Sequence, residues 1–304
     1  MVKITEIAYN GWQHCLEMSN DTVKLIVTTD VGPRIIYFGA VNGENMFHQR
    51  KGQQGLVNSK EWHIYGGHRL WHSPQDGFRP NQVDNAPVSY KVSGNSVEMD
   101  CPEEEATRIR KQLCITMAAD EPRVTVGHRI YNCGLWPINL GTWAMSVMRE
   151  DGKVILPIPR KQTPDYYPNF SIVYWPWTKP NDSRFSIGEK YMTLQQDQNN
   201  KQWFKIGFNN TEGWGAYLLN GYMFVKTALP RAGEEYPDFG STFEIYTDNE
   251  MTELESMGPL RTIARNEYTE HTEEWYLFRD IKMPKTEKEI EEYVSKPILK
   301  VIHT

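Results

Sequence analysis

Val88-Ser-Tyr-Lys-Val-Ser-Gly-Asn-Ser-Val-Glu-Met99 decides the fold class. Val88, Tyr90 and Val92 alternate with polar residues, Ser93-Gly94-Asn95 turns the chain, and Val97 and Met99 resume the alternation. A period of two puts successive side chains on opposite faces of a strand, and a short Gly/Asn turn between two such runs predicts a β-hairpin. The same pattern extends in both directions. Toward the N-terminus, Val23, Leu25 and Val27 alternate, Gly32-Pro33 punctuates, and Arg34 to Phe38 runs apolar before Asn42-Gly43. Toward the C-terminus, Leu113, Ile115 and Met117 lead through Asp120-Glu121-Pro122 to Val124, Val126, His128 and Ile130. Ile138, Leu140, Trp143, Met145 and Val147 follow, then short strand-like runs at 154–156, 204–208, 215–219, 223–228, 240–247 and 252–257.

Two segments break the pattern. Arg160 to Lys190, rich in Pro, Trp, Tyr and Asn and containing Tyr174-Trp-Pro-Trp177, reads as a long ordered excursion of the kind that carries function. Thr286-Glu-Lys-Glu289 has the spacing of a capping box, and Ile290, Tyr293 and Val294 supply one apolar face, so a short helix is expected until Pro297 stops it. With no repeat and no linker, the expectation is a single antiparallel all-β domain over residues 1–283, with 284–304 as a helix and tail packed on it.

The 304 residues carry 24% charged side chains and a net charge of −6 without a basic patch, which argues against nucleic acid and anionic membrane as partners. The first twenty residues lack a charged segment followed by an apolar run, and no window approaches a membrane span, so a cytoplasmic location is expected. Cys15, Cys101, Cys114 and Cys133 lack metal-like spacing and are expected as reduced thiols. Aromatics make up 12%, with ten Trp and sixteen Tyr, enough to furnish a sugar-stacking groove as well as a core.

Site chemistry is densest in Trp62-His-Ile-Tyr-Gly-Gly-His-Arg-Leu-Trp-His-Ser-Pro-Gln75, where the glycines permit tight turns or close approach beside aromatic and cationic side chains. Tyr65, His68, Arg69, Trp71 and His72 are candidates for a pocket wall. His63, His68 and His72 raise a metal option, but no carboxylate completes a local ligand set, and neither metal nor cofactor is expected. In Thr252-Glu-Leu-Glu-Ser-Met-Gly-Pro259, Glu253 and Glu255 alternate with Leu254 and so share one strand face. If that face lines a pocket, their repulsion and desolvation suit one of them to acid or base work. His271 lies in a further strand-like run, Asn266 to Phe278, where an outward structural position is the plainer reading.

These pieces together resemble the aldose 1-epimerase (galactose mutarotase) superfamily. Leu254-Glu255-Ser256, Asn266-Glu-Tyr and Glu274-Trp-Tyr-Leu-Phe278 resemble its C-terminal signature, in which the glutamate is the catalytic base. Pro137-Ile-Asn-Leu-Gly-Thr-Trp-Ala-Met145 resembles the segment carrying its catalytic histidine, and Tyr65-Gly-Gly-His is similar to its His-Gly-Gly or Arg-Gly-Gly motif. The wording overall is closest to an uncharacterised mutarotase-like branch, and the likeness runs from about Val23 to Phe278. It implies a β-supersandwich with a carbohydrate cleft. Glu255 would be the base, His68 the candidate acid, Arg69 and His72 would hold hydroxyls or a carboxylate, and Trp71 or Trp143 would stack on the ring. Lys226, Glu253, His271 and Tyr65 complete the implied binding set. The partner is a small-molecule carbohydrate, met by a monomer or homodimer.

Trp143 stands where the family's histidine is expected, and an indole N–H is no usable acid near neutral pH. Two alternatives therefore stand beside an epimerase. One is a non-catalytic carbohydrate-binding domain. The other is an enzyme acting on acidic saccharides, with Arg34, Arg69 and Lys226 reading a carboxylate.

Overall fold

The computed structural model describes residues 1–77, 82–160 and 166–302. Alternating apolar residues build two large antiparallel sheets that pack face to face. One has eleven strands and the other ten. The Val88–Met99 reading holds: Ser89–Ser93 pairs with Ser96–Asp100 at the edge of the ten-stranded sheet, with Val92 opposite Val97. Two strands that the alternation did not announce, Lys3–Tyr9 and Trp12–Ser19, form the opposite edge of the other sheet.

The middle of the eleven-stranded sheet runs, in spatial order, Arg34–Ala40, Gly67–Ser73, Ile138–Met148, Thr252–Met257, Phe243–Thr247 and Phe204–Phe208. The ten-stranded sheet places Tyr222–Thr227, Tyr268–Phe278 and Arg123–Asn132 behind it. Their facing apolar residues make one continuous core, in which Trp275 packs among Phe38, Phe47 and Phe224 at centroid distances of 5.5–5.7 Å. Burial of so many large side chains is the main source of stability here.

The 160–190 excursion is anchored at both sheets. Ile172–Tyr174 adds an edge strand beside Phe204–Phe208, and Phe185–Ile187 adds one beside Tyr191–Gln195, so Trp175 and Trp177 are carried to the side of the eleven-stranded sheet. Residues 161–165 of that excursion lie outside the described residues, as do the last two of the C-terminal tail.

At the C-terminus Thr286 and Glu289 form the expected capping box. Pro297 does not stop the helix. Glu287–Ile290 passes into a π turn, Glu291–Ser295, and α-helix resumes over Lys296–Ile302. The wider turn sends the Lys296 N–H to the Glu291 carbonyl, so Pro297 enters at the start of a new helical segment, where its missing N–H is tolerated. Ile290, Val294 and Ile298 pack on the outer face of the ten-stranded sheet against Trp214, Val225 and Tyr276. Among the described residues no helix is long and apolar enough to cross a membrane.

Candidate functional site

Strand register sorts the candidate residues into two groups. Residues directly opposite in antiparallel strands share a face. Three successive rungs lie on the outer face of the eleven-stranded sheet. The first is Trp71, Trp143 and Met257; the second Arg69, Met145, Glu255 and Glu244; the third Val147, Glu253, Tyr246 and Lys205. The intervening rungs, among them His68 with Ser146 and Leu254, and His72 with Thr142, point inward between the sheets.

Above the outer rungs lies a cleft of about 890 Å³. Six tryptophans line it: Trp62, Trp71, Trp143, Trp175, Trp177 and Trp203. They stand in two banks. Trp71 meets Trp143 edge to face at 5.5 Å and Trp62 at 6.2 Å, while Trp177 meets Trp203 at 6.0 Å and Tyr246 at 6.1 Å. Between the banks the Lys205 ammonium sits 4.5 Å from the Trp143 ring and 4.9 Å from that of Trp175. Arg69, Asp248 and Glu253 bring charge to the same walls.

Under the floor, Lys205 joins two carboxylates on neighbouring strands. Its Nζ lies 2.8 Å from Glu244 and 2.9 Å from Glu255, and the Trp143 indole N–H donates to Glu255 at 2.6 Å. Glu244 and Glu255 are wholly buried. Burial holds the Glu244 carboxyl well above the usual range against the attraction of Lys205, with the Glu255 charge adding to the rise. Burial and the nearby Glu255 charge also push Glu253 up to about 7, against the pull of Arg69 and Lys205. Glu253 is the carboxyl that lines the cleft with a proton affinity near neutrality.

The inward group departs from expectation. His68, expected as an acid opposite Glu255, and His72, Lys226 and His271, expected against substrate, all lie on the core side of the sheets, fully or almost fully buried. The period of two dictates this, because His68 and His72 alternate with Arg69 and Trp71 on one strand. Tyr65 is also removed from the cleft. It packs 6.0 Å from Trp12, with the Arg34 guanidinium 5.1 Å from its ring. Gly66 and Gly67 serve neighbouring backbone rather than a ligand: a Cβ would stand 2.0 Å from the His48 carbonyl oxygen at Gly66 and 2.2 Å from that of Ile35 at Gly67. Arg34 is paired with Asp84 at 2.9 Å inside the protein.

The buried polar residues form a closed network. The His128 Nδ1–H donates to the His271 carbonyl at 3.0 Å, which leaves Nε2 to accept from His68 Nε2 at 2.7 Å, and His68 Nδ1 then accepts from Ser146 at 2.9 Å. Ser256 accepts from the His271 ring at 2.6 Å and donates to Glu273, which also takes the Trp275 N–H at 2.7 Å and the Lys226 ammonium at 2.9 Å. His68, His128 and Glu273 bring possible ligand atoms within 4.8 Å of one another, yet each already has a protein partner.

Burial lowers all three imidazoles, His128 and His271 to about 3 and His68 well below its ordinary value. A histidine depressed in the folded state contributes stability that is full above its unfolded pKa of 6.5 and is lost as pH falls toward 3. Between about pH 7.5 and 5.5 each such histidine removes roughly 1.4 kcal/mol. Urea unfolding of His128→Asn should therefore lose about 1.4 kcal/mol less than wild type over that interval. Parallel pH profiles would contradict the neutral, buried assignment of His128.

Sequence reasoning did not name Lys205 or Glu244, because only the pairing of three strands brings them to Glu255. Trp175 and Trp177 were signalled by the aromatic excursion but not joined to the 62–75 stretch, which itself contributes Trp62, Arg69 and Trp71 to the cleft.

No family model and no curated protein matches the chain. Solved structures do. A putative aldose 1-epimerase from Klebsiella pneumoniae superposes with a TM-score of 0.61 at 10% identity, covering 97% of this chain and 86% of the other. One from Escherichia coli K12 gives 0.59 at 12% identity, covering 92% and 100%. A TPR-domain containing protein from Parabacteroides distasonis gives 0.58 at 12% identity over 93% of this chain, which spans only 54% of that protein. Identities this low establish architecture. The chain has the galactose mutarotase-like fold, the two-sheet β-sandwich of proteins described as aldose 1-epimerases.

Proposed function

We propose that this protein binds a saccharide in the tryptophan-lined cleft. The observation that carries the reading is the pair of indole banks, three tryptophans on one wall and two with Tyr246 on the other, with Lys205 between them. Pyranose faces are apolar and their rims are rich in hydroxyls, so aromatic walls with a few fixed charges suit them. Two banks separated by a floor suit a chain of sugar units better than a single ring.

Trp177 is only partly buried and its ring leans on Trp203 and Tyr246, so its removal leaves the buried core in place. Calorimetric titration with neutral oligosaccharides of increasing length should show affinity rising with length in wild type. Trp177→Ala should weaken binding by about tenfold or more. Equal affinity in the two proteins, or no heat with any saccharide, would count against the cleft as a sugar site.

One observation favours chemistry in addition to binding. Mutarotation moves a proton at the anomeric hydroxyl and another at the ring oxygen, and the Glu253 carboxyl, held at about 7 in the cleft wall, can exchange protons at neutral pH. Glu255, beside it, acts by its charge. On this reading wild type accelerates anomer exchange of an aldose followed by NMR, and Glu253→Gln loses at least about a hundredfold of the acceleration. If wild type gives no acceleration, the protein is a binder alone.

A further inference from the structure

The charged groups of the cleft are unequally committed. Lys205 is engaged by Glu244 and Glu255. Arg50 is paired with Glu250, and Asp248 accepts from the Tyr246 hydroxyl and from the backbone N–H groups of Glu250 and Met251. Arg69 differs. Its side chain is 3% exposed, yet Nε and Nη1 are buried without a hydrogen-bond partner, and Nη2 comes no nearer to Glu253 than 3.8 Å. The guanidinium is held by stacking instead, 4.1 Å from the Trp71 ring and 5.2 Å from that of Trp62. Arg34, equally buried, shows the contrast, with two backbone carbonyls and the Asp84 carboxylate as acceptors.

A buried guanidinium without acceptors is costly, and an incoming planar oxyanion is the group that relieves it best. The two flanking indoles fix its plane, and the side chain belongs to the cleft wall. We infer that Arg69 reads a carboxylate on the bound saccharide, so that the cleft takes uronate-containing chains in preference to neutral ones. This rests on the saccharide reading above and adds the charge class of the ligand. Glu253 stands 3.8 Å from Nη2, beyond hydrogen-bond distance, and a ligand carboxylate would supply the acceptor that Glu253 does not.

The test is a calorimetric comparison at low salt of trigalacturonic acid, its fully methyl-esterified form and a sulfated neutral trisaccharide. The acid should bind wild type about tenfold or more tighter than the ester, as a charge-assisted hydrogen-bonded pair allows. In Arg69→Gln that ratio should fall to about one, and Arg69→Lys, which keeps the charge but not the fork, should fall between. Trp177→Ala should weaken acid and ester alike and leave their ratio unchanged. Equal binding of acid and ester by wild type overturns the inference while leaving the saccharide site intact. Preference for the sulfated trisaccharide overturns the carboxylate assignment. Absence of binding by all three removes the saccharide reading and the inference with it.

Discussion

Glu273→Gln is expected to lower folding stability by about 3–5 kcal/mol, the cost of leaving a buried charge without its counter-ion. Lys226 and Glu273 are both wholly buried between the sheets, with Nζ and Oε1 2.9 Å apart. The substitution keeps the shape of the side chain, so cavity formation is not at issue, but it removes the charge and turns one of two accepting oxygens into a donor that meets the Trp275 N–H or the Lys226 ammonium. Lys226 would retain its bonds to the Ala144 and Leu254 carbonyls, at 3.2 and 2.9 Å, but no anion. Burial already lowers the Lys226 ammonium, chiefly opposed by Glu273, so losing that carboxylate drives it further down. Folding then stabilises the neutral amine. A group depressed in this way destabilises the fold less as pH rises, so the deficit measured by urea unfolding should narrow from about pH 7 toward 9.5. A loss under about 1 kcal/mol, constant with pH, would mean that the pair is dispensable.

Lys205→Met removes the cation that Glu244 and Glu255 share, and it too is expected to cost about 3–5 kcal/mol near neutral pH. Two carboxyls directly opposite on neighbouring strands would then face each other in a buried floor. Glu244, already raised by burial, rises further without Lys205 and takes up a proton in the folded state. The sign follows: a carboxyl raised above its unfolded value favours the fold most at low pH and loses that contribution as pH rises. The gap between variant and wild type should therefore be widest near about pH 8 and shrink toward about pH 5. Saccharide affinity should fall as well, because the Lys205 ammonium stands by the Trp143 and Trp175 rings that line the cleft. A gap that widens on acidification would contradict the floor described here.

The fold was legible because most strands carry their own evidence, Lys3–Tyr9 and Trp12–Ser19 being exceptions. Val88 to Met99 reads as a hairpin without reference to anything distant, and Thr286 to Glu289 reads as a helix start for the same reason. The site was legible only in part. Alternation told that Glu253 and Glu255 share a face, and the same rule separates Arg69 and Trp71 from His68 and His72. Which of the two faces is the outer one depends on the second sheet, where His128, His271 and Glu273 wait to close the inner network. Functional analogy drew His68 toward Glu255 across that boundary. The Lys205 link was beyond reach for a different reason: it depends on the pairings of Phe204–Phe208 with Phe243–Thr247 and of that strand with Thr252–Met257. Such contacts are set by tertiary register, which no local pattern encodes.

The central claim is that ligand binds on the outer face, between the tryptophan banks, and that the histidine network is internal framework. A structure with a bound oligosaccharide tests it most directly. The account predicts sugar rings against Trp71 and Trp143 on one side and Trp177 and Trp203 on the other, with His68 and His72 untouched behind the sheet. A saccharide seated away from the cleft, or one in contact with His68, would contradict it.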